Sequence, residues 1–270
     1  MDISLDRIAL VTTVCNQLLY KKTVNTFPKN IDLIAIDGSK GLFGIDSIKF
    51  MFDKLSSDTY DWIIMADEDV LFIAPNEVFS IIEKMNNENI VVCGVRDGGV
   101  LSWRDKNPFL VNPFFCILNF KTIKSIYNRD EIDKNQYILE NEFADDLSKL
   151  PFKYDEKSIF EEYYCFFLWL RRKEMKFEFL DAVSNTFEND LETTTVFDLN
   201  GNAFLYHTWY ARTYGVNEYH TERINKIINL CNLENDNRKI VWLKDSFFNI
   251  KKDFNKIKNK LINRINLLFK

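Results

Sequence analysis

The sequence predicts an α/β fold in which a mixed, mostly parallel sheet is flanked by helices and followed by a helical C-terminal extension. Three observations predict it. Apolar strand runs alternate with stretches of helical period through the first 95 residues, an order that requires crossover helices and so builds parallel pairs. Two of those runs stop abruptly at acids, in Asp37-Gly38-Ser39 and in Asp67-Glu68-Asp69. From Ile250 onward, apolar residues recur at spacings of three and four, the period of an amphipathic helix.

The elements follow in order. Arg7 to Val14 is a β-branched apolar run that meets the polar pair Cys15 and Asn16, as a buried strand entering a loop does. Residues 17–27 read as a helix that must stop before Pro28, because proline disfavours helical geometry in the residue ahead of it. Residues 31–36 form the second strand, and strand, helix, strand makes a right-handed βαβ unit. Ile45, Ile48, Phe52 and Leu55 share one face of the next helix. Asp61 to Met65 is a third strand and Val70 to Ile73 a further apolar piece, stopped by Pro75. Glu77 to Met85 reads as a helix and Ile90 to Val95 as a strand, which completes the pattern of a doubly wound domain. Residues 96–113 carry glycines, prolines and aromatics without a period and read as a loop leading into the strand Phe114 to Phe120. Ile159 to Lys173 reads as an aromatic-rich helix, Phe177 to Leu180 as a short strand and Ala203 to Trp209 as the last strand-like run.

Composition narrows the class. The 270 residues are 46% hydrophobic and 28% charged, which suits a folded domain and not a disordered chain. The 24 phenylalanines are an excess of which most is expected to fill the core, with a remainder available for stacking surfaces. A formal charge of −5 argues against a nucleic-acid partner. Cys15, Cys93, Cys116, Cys165 and Cys231 are widely spaced and form no CxxC pair, so free thiols in a reducing, cytoplasmic compartment are expected. The N-terminal run reads as a first strand, not as a signal peptide. No apolar span approaches the roughly 20 residues of a transmembrane helix. The segment after Ile250 holds seven basic residues and the single acid Asp253. Two readings of it stand: a helix on an anionic membrane surface, making the protein peripheral to the inner face, or a helix packed on its own domain with a solvated basic face.

The strongest chemical signal is Asp67-Glu68-Asp69, directly behind the strand run YDWIIMA. Two carboxylates one residue apart at the carboxyl end of a buried strand can share a hard divalent cation and present it to phosphate oxygens. The ordinary alternative is an acidic turn in water. Position favours the metal, because open α/β sheets bind ligands beyond the carboxyl ends of their strands.

Here the sequence resembles the GT-A nucleotide-diphospho-sugar glycosyltransferases, of bacterial type. The resemblance rests on YDWIIMADEDVLF as a DxD motif, on VTTVCN and IDGSKG ending the first two strands, on FEEYYCFFLWLRRKEMKF and on the late HTWYAR, spanning residues 8 to about 212. It implies a catalytic domain over residues 1–220, with a nucleotide-binding half (1–95) and an acceptor half (96–220), followed by a helical extension over 221–270. It further implies a hexosyltransferase that moves a sugar, UDP-sugar favoured, to an acceptor hydroxyl on a glycan or lipid-linked acceptor, in surface-polysaccharide synthesis. The cofactor implied is Mn²⁺, or Mg²⁺.

Position by position, the resemblance puts Thr13, Val14, Cys15 and Asn16 against the nucleotide base and Asp37 against the base or ribose. Asp67 would touch the ribose or the metal, and Asp69 the metal and diphosphate. His207 would be a further metal ligand, as neutral imidazole suits Mn²⁺, though a lone histidine is commonly an ordinary packed side chain. Arg212 would neutralise the leaving diphosphate with its fixed cationic fork. Glu161 and Glu162 stand where an inverting member keeps the base for the acceptor hydroxyl; acids also favour helix N-termini. Asp155 and Glu156 are rivals, and a retaining enzyme needs no such base. Trp103, Asn112, Trp209 and Tyr210 are acceptor-side candidates, since aromatic faces pack on sugar C–H patches and amides read hydroxyls. Core packing explains each of them equally well. Two other functions remain: a sugar-phosphate nucleotidyltransferase, whose glycine-rich phosphate loop VTTVCNQLLYKK lacks, and a non-catalytic nucleotide- or sugar-binding module.

Overall fold

The computed structural model describes residues 3–231, 238–248, 250 and 252. β1 (Ile8–Val14) leads into α1 (Gln17–Thr23), β2 (Asp32–Asp37), α2 (Ile45–Lys54), β3 (Trp62–Ala66), β4 (Val70–Phe72), α3 (Glu77–Asn87), β5 (Val92–Arg96) and β6 (Val111–Asn119). The chain continues through α4 (Phe120–Ile126), α5 (Arg129–Asp133), α6 (Tyr164–Arg172), β7 (Phe177–Leu180), β8 (Ala182–Val183), β9 (Thr194–Phe197), β10 (Ala203–His207), α7 (Glu218–Leu230) and β11 (Ile240–Leu243).

A seven-stranded sheet runs in the order β11-β2-β1-β3-β6-β5-β7. Its pairs β1–β2, β1–β3, β2–β11 and β5–β7 are parallel, while β6 runs antiparallel to both β3 and β5. The mixed, mostly parallel sheet flanked by helices is therefore as the sequence predicts. Because successive strand residues point to opposite faces, each strand feeds two cores. Ala9, Val11, Ile34, Ile36, Ile63 and Met65 pack with α2, α4 and α6, whereas Ile8, Leu10, Leu33, Ala35, Trp62 and Ile64 pack with α1, α3 and the second sheet. Much of the phenylalanine excess is core: Phe52 stacks on Phe120 and Tyr127 at 5.1 and 4.8 Å and leans on Phe166.

The apolar piece Val70 to Phe72 opens a separate antiparallel sheet of order β4-β10-β9-β8. The chain must turn sharply at Asp67–Asp69 to reach that sheet, so the acids sit at the junction of the two. α6 begins at Tyr164, not at Ile159. Tertiary polar contacts decide that start: the hydroxyls of Tyr163 and Tyr164 both reach Asp97, and Glu161 is held by Arg104. The region after residue 221 is not helical throughout, since Ile240 to Leu243 add a strand to the free edge of β2 and Trp242 lies edge-on to Tyr20 at 5.9 Å. The amphipathic segment after Ile250 lies outside the described residues except for Ile250 and Lys252, whose amine meets Asp46 at 2.9 Å. No described helix is long and apolar enough to cross a membrane.

Candidate functional site

Strand pairing builds the centre of the site. β3 delivers Asp67 at its carboxyl end, where the Asp67 amide donates to the Phe114 carbonyl of β6 at 2.9 Å. β4 then pairs antiparallel with β10 in a register that sets Val70 opposite His207. One residue on, both the amide and the hydroxyl of Thr208 donate to the Asp69 carbonyl, at 3.0 and 3.1 Å. Residues 138 positions apart are thereby fixed side by side: Nε2 of His207 lies 3.2 Å from Oδ1 of Asp69. One ligand atom each from Asp67, Asp69 and His207 falls within 4.8 Å of the others.

These groups fit a divalent cation. Asp69 and His207 are almost wholly buried, and Asp67 keeps part of its surface open. Burial first, and then the charges of Asp69 and Glu68, push the Asp67 carboxyl well above the usual range, with Arg212 opposing. Glu68 is likewise pushed up to about 7, by burial and then by Asp69. Carboxylates crowded this closely repel one another unless a cation lies among them. The His207 ring lies flat on Phe114 at 4.2 Å and 11°, which sets its plane by stacking. Its Nδ1 is buried and has no hydrogen-bond partner among the described residues. Two hard carboxylates with one imidazole match Mn²⁺ better than Mg²⁺, which favours oxygen throughout.

Glu68 has a different part from its two neighbours. Its Oε1 accepts from the backbone amides of both Cys15 and Asn16 at 3.0 Å, and its own carbonyl accepts from Thr23 at 2.8 Å. The middle acid therefore ties the loop after β1 to the acid turn. Nothing in a DxD spelling discloses this.

Of the residues expected against a nucleotide, Thr13, Cys15, Asp67 and Arg212 line one cavity of about 720 Å³ together with Asp69 and His207. Val14 does not: it is fully buried in the core shared with α1, because alternation along β1 turns it away from Thr13. The Cys15 thiol is pushed up to about 11, by burial first and then by Glu68, so it stays neutral. Asn16 caps α1 through Leu19 and donates to the Ala211 and Tyr214 carbonyls, each at 2.8 Å. It thus fastens the segment that carries Arg212 and has no amide left over to read a base. Asp37 lies outside the cavity, where its carboxylate is held by Ser39 and faces Lys244 at 3.6 Å. The Arg212 guanidinium sits 4.1 Å over the Phe43 ring, joining this segment to the loop ahead of α2.

Glu161, Glu162, Asn112, Trp209 and Tyr210 line the same cavity, with the Trp209 ring 4.1 Å from that of His207. Asp155 and Glu156 line no described cavity, which removes them from beside the acid corner. Glu161 accepts from Arg104 at 2.7 Å, and Arg104 is in turn anchored by the buried Asp97. The carboxylate of Glu162 is exposed and has no ion pair or hydrogen bond among the described residues. Asn112 touches the cavity, but both ends of its amide are engaged, by Asp97 at 2.6 Å and by the Phe114 amide at 3.1 Å. Trp103 is not in the cavity wall; it stands edge-on to Trp209 at 4.6 Å and 82°. Asp97 and Arg104 gave no sequence signal beyond lying in a glycine- and aromatic-rich loop.

The turn after β10 is the strained part of the site. Trp209 and Tyr210 both take left-handed backbone angles, φ 58° and 62°, which side-chain-bearing residues rarely adopt. Arg223 of α7 holds them there. Nearly all its surface is buried, and its guanidinium donates to the carbonyls of Thr208 and Trp209 and to the Thr193 hydroxyl, with Asp190 at 3.4 Å. Arg223→Met is expected to cost about 3–5 kcal/mol, because it takes the buried cation from Asp190, whose remaining partners are Glu192 and Thr193, and removes the donor to two interior carbonyls. Urea unfolding of the full chain measures this, and a loss under ~1 kcal/mol would mean the turn closes without the arginine.

No protein-family model matches the chain, and no curated protein matches it. Among solved structures it is similar to the mannosyltransferase PcManGT from Pyrobaculum calidifontis, in complex with GDP-Man and Mn²⁺. That match has 7% identity and a TM-score of 0.30, and covers 46% of this chain and 49% of that one. The chain thus spans about half the length of that protein. It is also similar to a Drosophila β1,4-galactosyltransferase 7 mutant in complex with manganese, UDP-Gal and xylobiose, at 14% identity and TM-score 0.40 over 86% of this chain and 81% of that one. The catalytic domain of the Drosophila enzyme in complex with xylobiose gives 13% and 0.38 over the same shares.

Proposed function

We propose that this chain is a metal-dependent glycosyltransferase of the GT-A type, moving a sugar from a nucleotide-diphospho-sugar, UDP-sugar favoured, to a hydroxyl of a glycan acceptor. The observation that carries the reading is the meeting of Asp67, Asp69 and His207 within 4.8 Å, in a cavity that Glu161 and Glu162 also line. Asp67, Asp69 and His207 would hold the cation, which when bound supplies charge for the diphosphate that leaves. Thr13 and Cys15 line the donor side, and Arg212 adds a positive charge beside Asp67. In an inverting transfer the acceptor oxygen forms a bond to the anomeric carbon as the bond to the diphosphate oxygen breaks, and the hydroxyl proton passes to a carboxylate. Glu162 suits that task better than Glu161, because its charge is not already committed to an arginine. A place at a membrane surface rests only on the basic residues after Ile250.

The test is a panel of nucleotide sugars with Mn²⁺ and simple acceptors. Release of nucleotide diphosphate that stops with EDTA and returns with Mn²⁺ is the expected result. Pyrophosphate formed from a nucleotide triphosphate and a sugar phosphate would instead make the protein a nucleotidyltransferase. Tight nucleotide binding without turnover of any donor would make it a binding module.

A further inference from the structure

We propose that a second cavity, on the far side of Glu161 and Glu162, is a subsite for the sugar that precedes the reacting residue in a neutral oligosaccharide acceptor. The proposal rests on the glycosyltransferase reading and adds the acceptor's class and length to it. This cavity measures about 340 Å³, within the range of about 300–1,000 Å³ for small-molecule sites. Glu161 and Glu162 line both cavities. An acceptor with a hydroxyl at Glu162 can therefore continue into this second cavity.

The lining suits a pyranose ring. Phe160 is 67% exposed and Ile159 52%, although both lie next to the buried Tyr163 and Tyr164. Exposed rings offer the flat apolar face that sugar C–H bonds pack on. The Lys106 amine lies over one face of the Phe160 ring, 4.0 Å from its centre, and the side chain as a whole stays two-thirds exposed. Also in the lining are the Gln136 amide and the carboxylate of Asp133, which is half exposed while the buried Lys49 amine grips one of its oxygens. An amide and a carboxylate, the latter held by Lys49, are groups that read sugar hydroxyls.

Charge selects the class. Lys49 is spent on Asp133, Lys106 faces Asp105 at 3.4 Å, Glu161 is matched by Arg104, and Glu162 remains as an unmatched negative charge. Phosphate- or uronate-bearing chains would bring like charges together here. A neutral glycan brings none.

Saturation-transfer NMR titration of the full-length protein with xylotriose, cellotriose and chitotriose, with trigalacturonate as the acidic probe, tests this. The titrations are run both without nucleotide and with UDP and Mn²⁺. At least one neutral trisaccharide is expected to bind, more tightly than trigalacturonate, with a dissociation constant about tenfold higher in Phe160→Ala. Absence of binding by every neutral trisaccharide overturns the subsite, as does binding that Phe160→Ala leaves unchanged or a preference for trigalacturonate. Failure of UDP and Mn²⁺ to bind counts against the donor reading instead, and the nucleotide-free titrations still decide the subsite.

Discussion

Asp69→Asn is expected to lower metal-dependent turnover by about a thousandfold or more while leaving the protein folded, because in the proposed reaction the lost charge would hold the cation that serves the leaving diphosphate. The substitution keeps the shape of the side chain and an oxygen for Nε2 of His207, now at 3.2 Å from Oδ1. The backbone bonds from Thr208 to the Asp69 carbonyl are untouched. Stability should move the other way. Asp69 raises both Asp67 and Glu68 by repulsion, so removing its charge relieves the metal-free protein. In EDTA the variant should melt at or above the parent, and the rise in Tm that Mn²⁺ gives the parent should vanish. Wild-type turnover in Asp69→Asn would sink the metal-centred reading outright.

Glu162→Gln is expected to lower kcat by about 10²–10⁴, the ordinary worth of a general base, with little change in donor KM. Glu161→Gln should cost far less in kcat, because Arg104 keeps its anchor on Asp97 and the amide oxygen can still accept from it. Paired kinetics of the two variants separate them. Equal kcat in parent and Glu162→Gln would exclude this carboxylate as the base and favour a retaining transfer, in which no such residue is required.

The site was partly legible in the sequence. Asp67 and Asp69 could be found because a carboxylate pair behind an apolar strand is a local pattern, and local patterns survive without coordinates. His207 was reachable only through the resemblance of HTWYAR, since its place next to Asp69 depends on the register of β10 against β4. The expectations for Val14, Asn16 and Asp37 treated strand ends as uniformly ligand-facing. Alternation turns Val14 inward, two carbonyls and a helix cap occupy Asn16, and a serine turn draws Asp37 aside. Arg104, Asp97 and Arg223 left no trace because their partners are distant in sequence and arginines and aspartates are common everywhere.

By itself the sequence determined the alternation of strands and helices, the parallel core of the sheet and the acid turn behind β3. Each of these follows from short-range periodicity and from the stop signals of glycine, proline and acids, which neighbouring residues set. Only the tertiary structure decided that β4 leaves the main sheet, that β11 returns to its edge and that Glu161 is paired while Glu162 is open. Those outcomes depend on which backbone edges and which charges meet after the chain has folded, and pairing energies between distant residues carry no period along the chain.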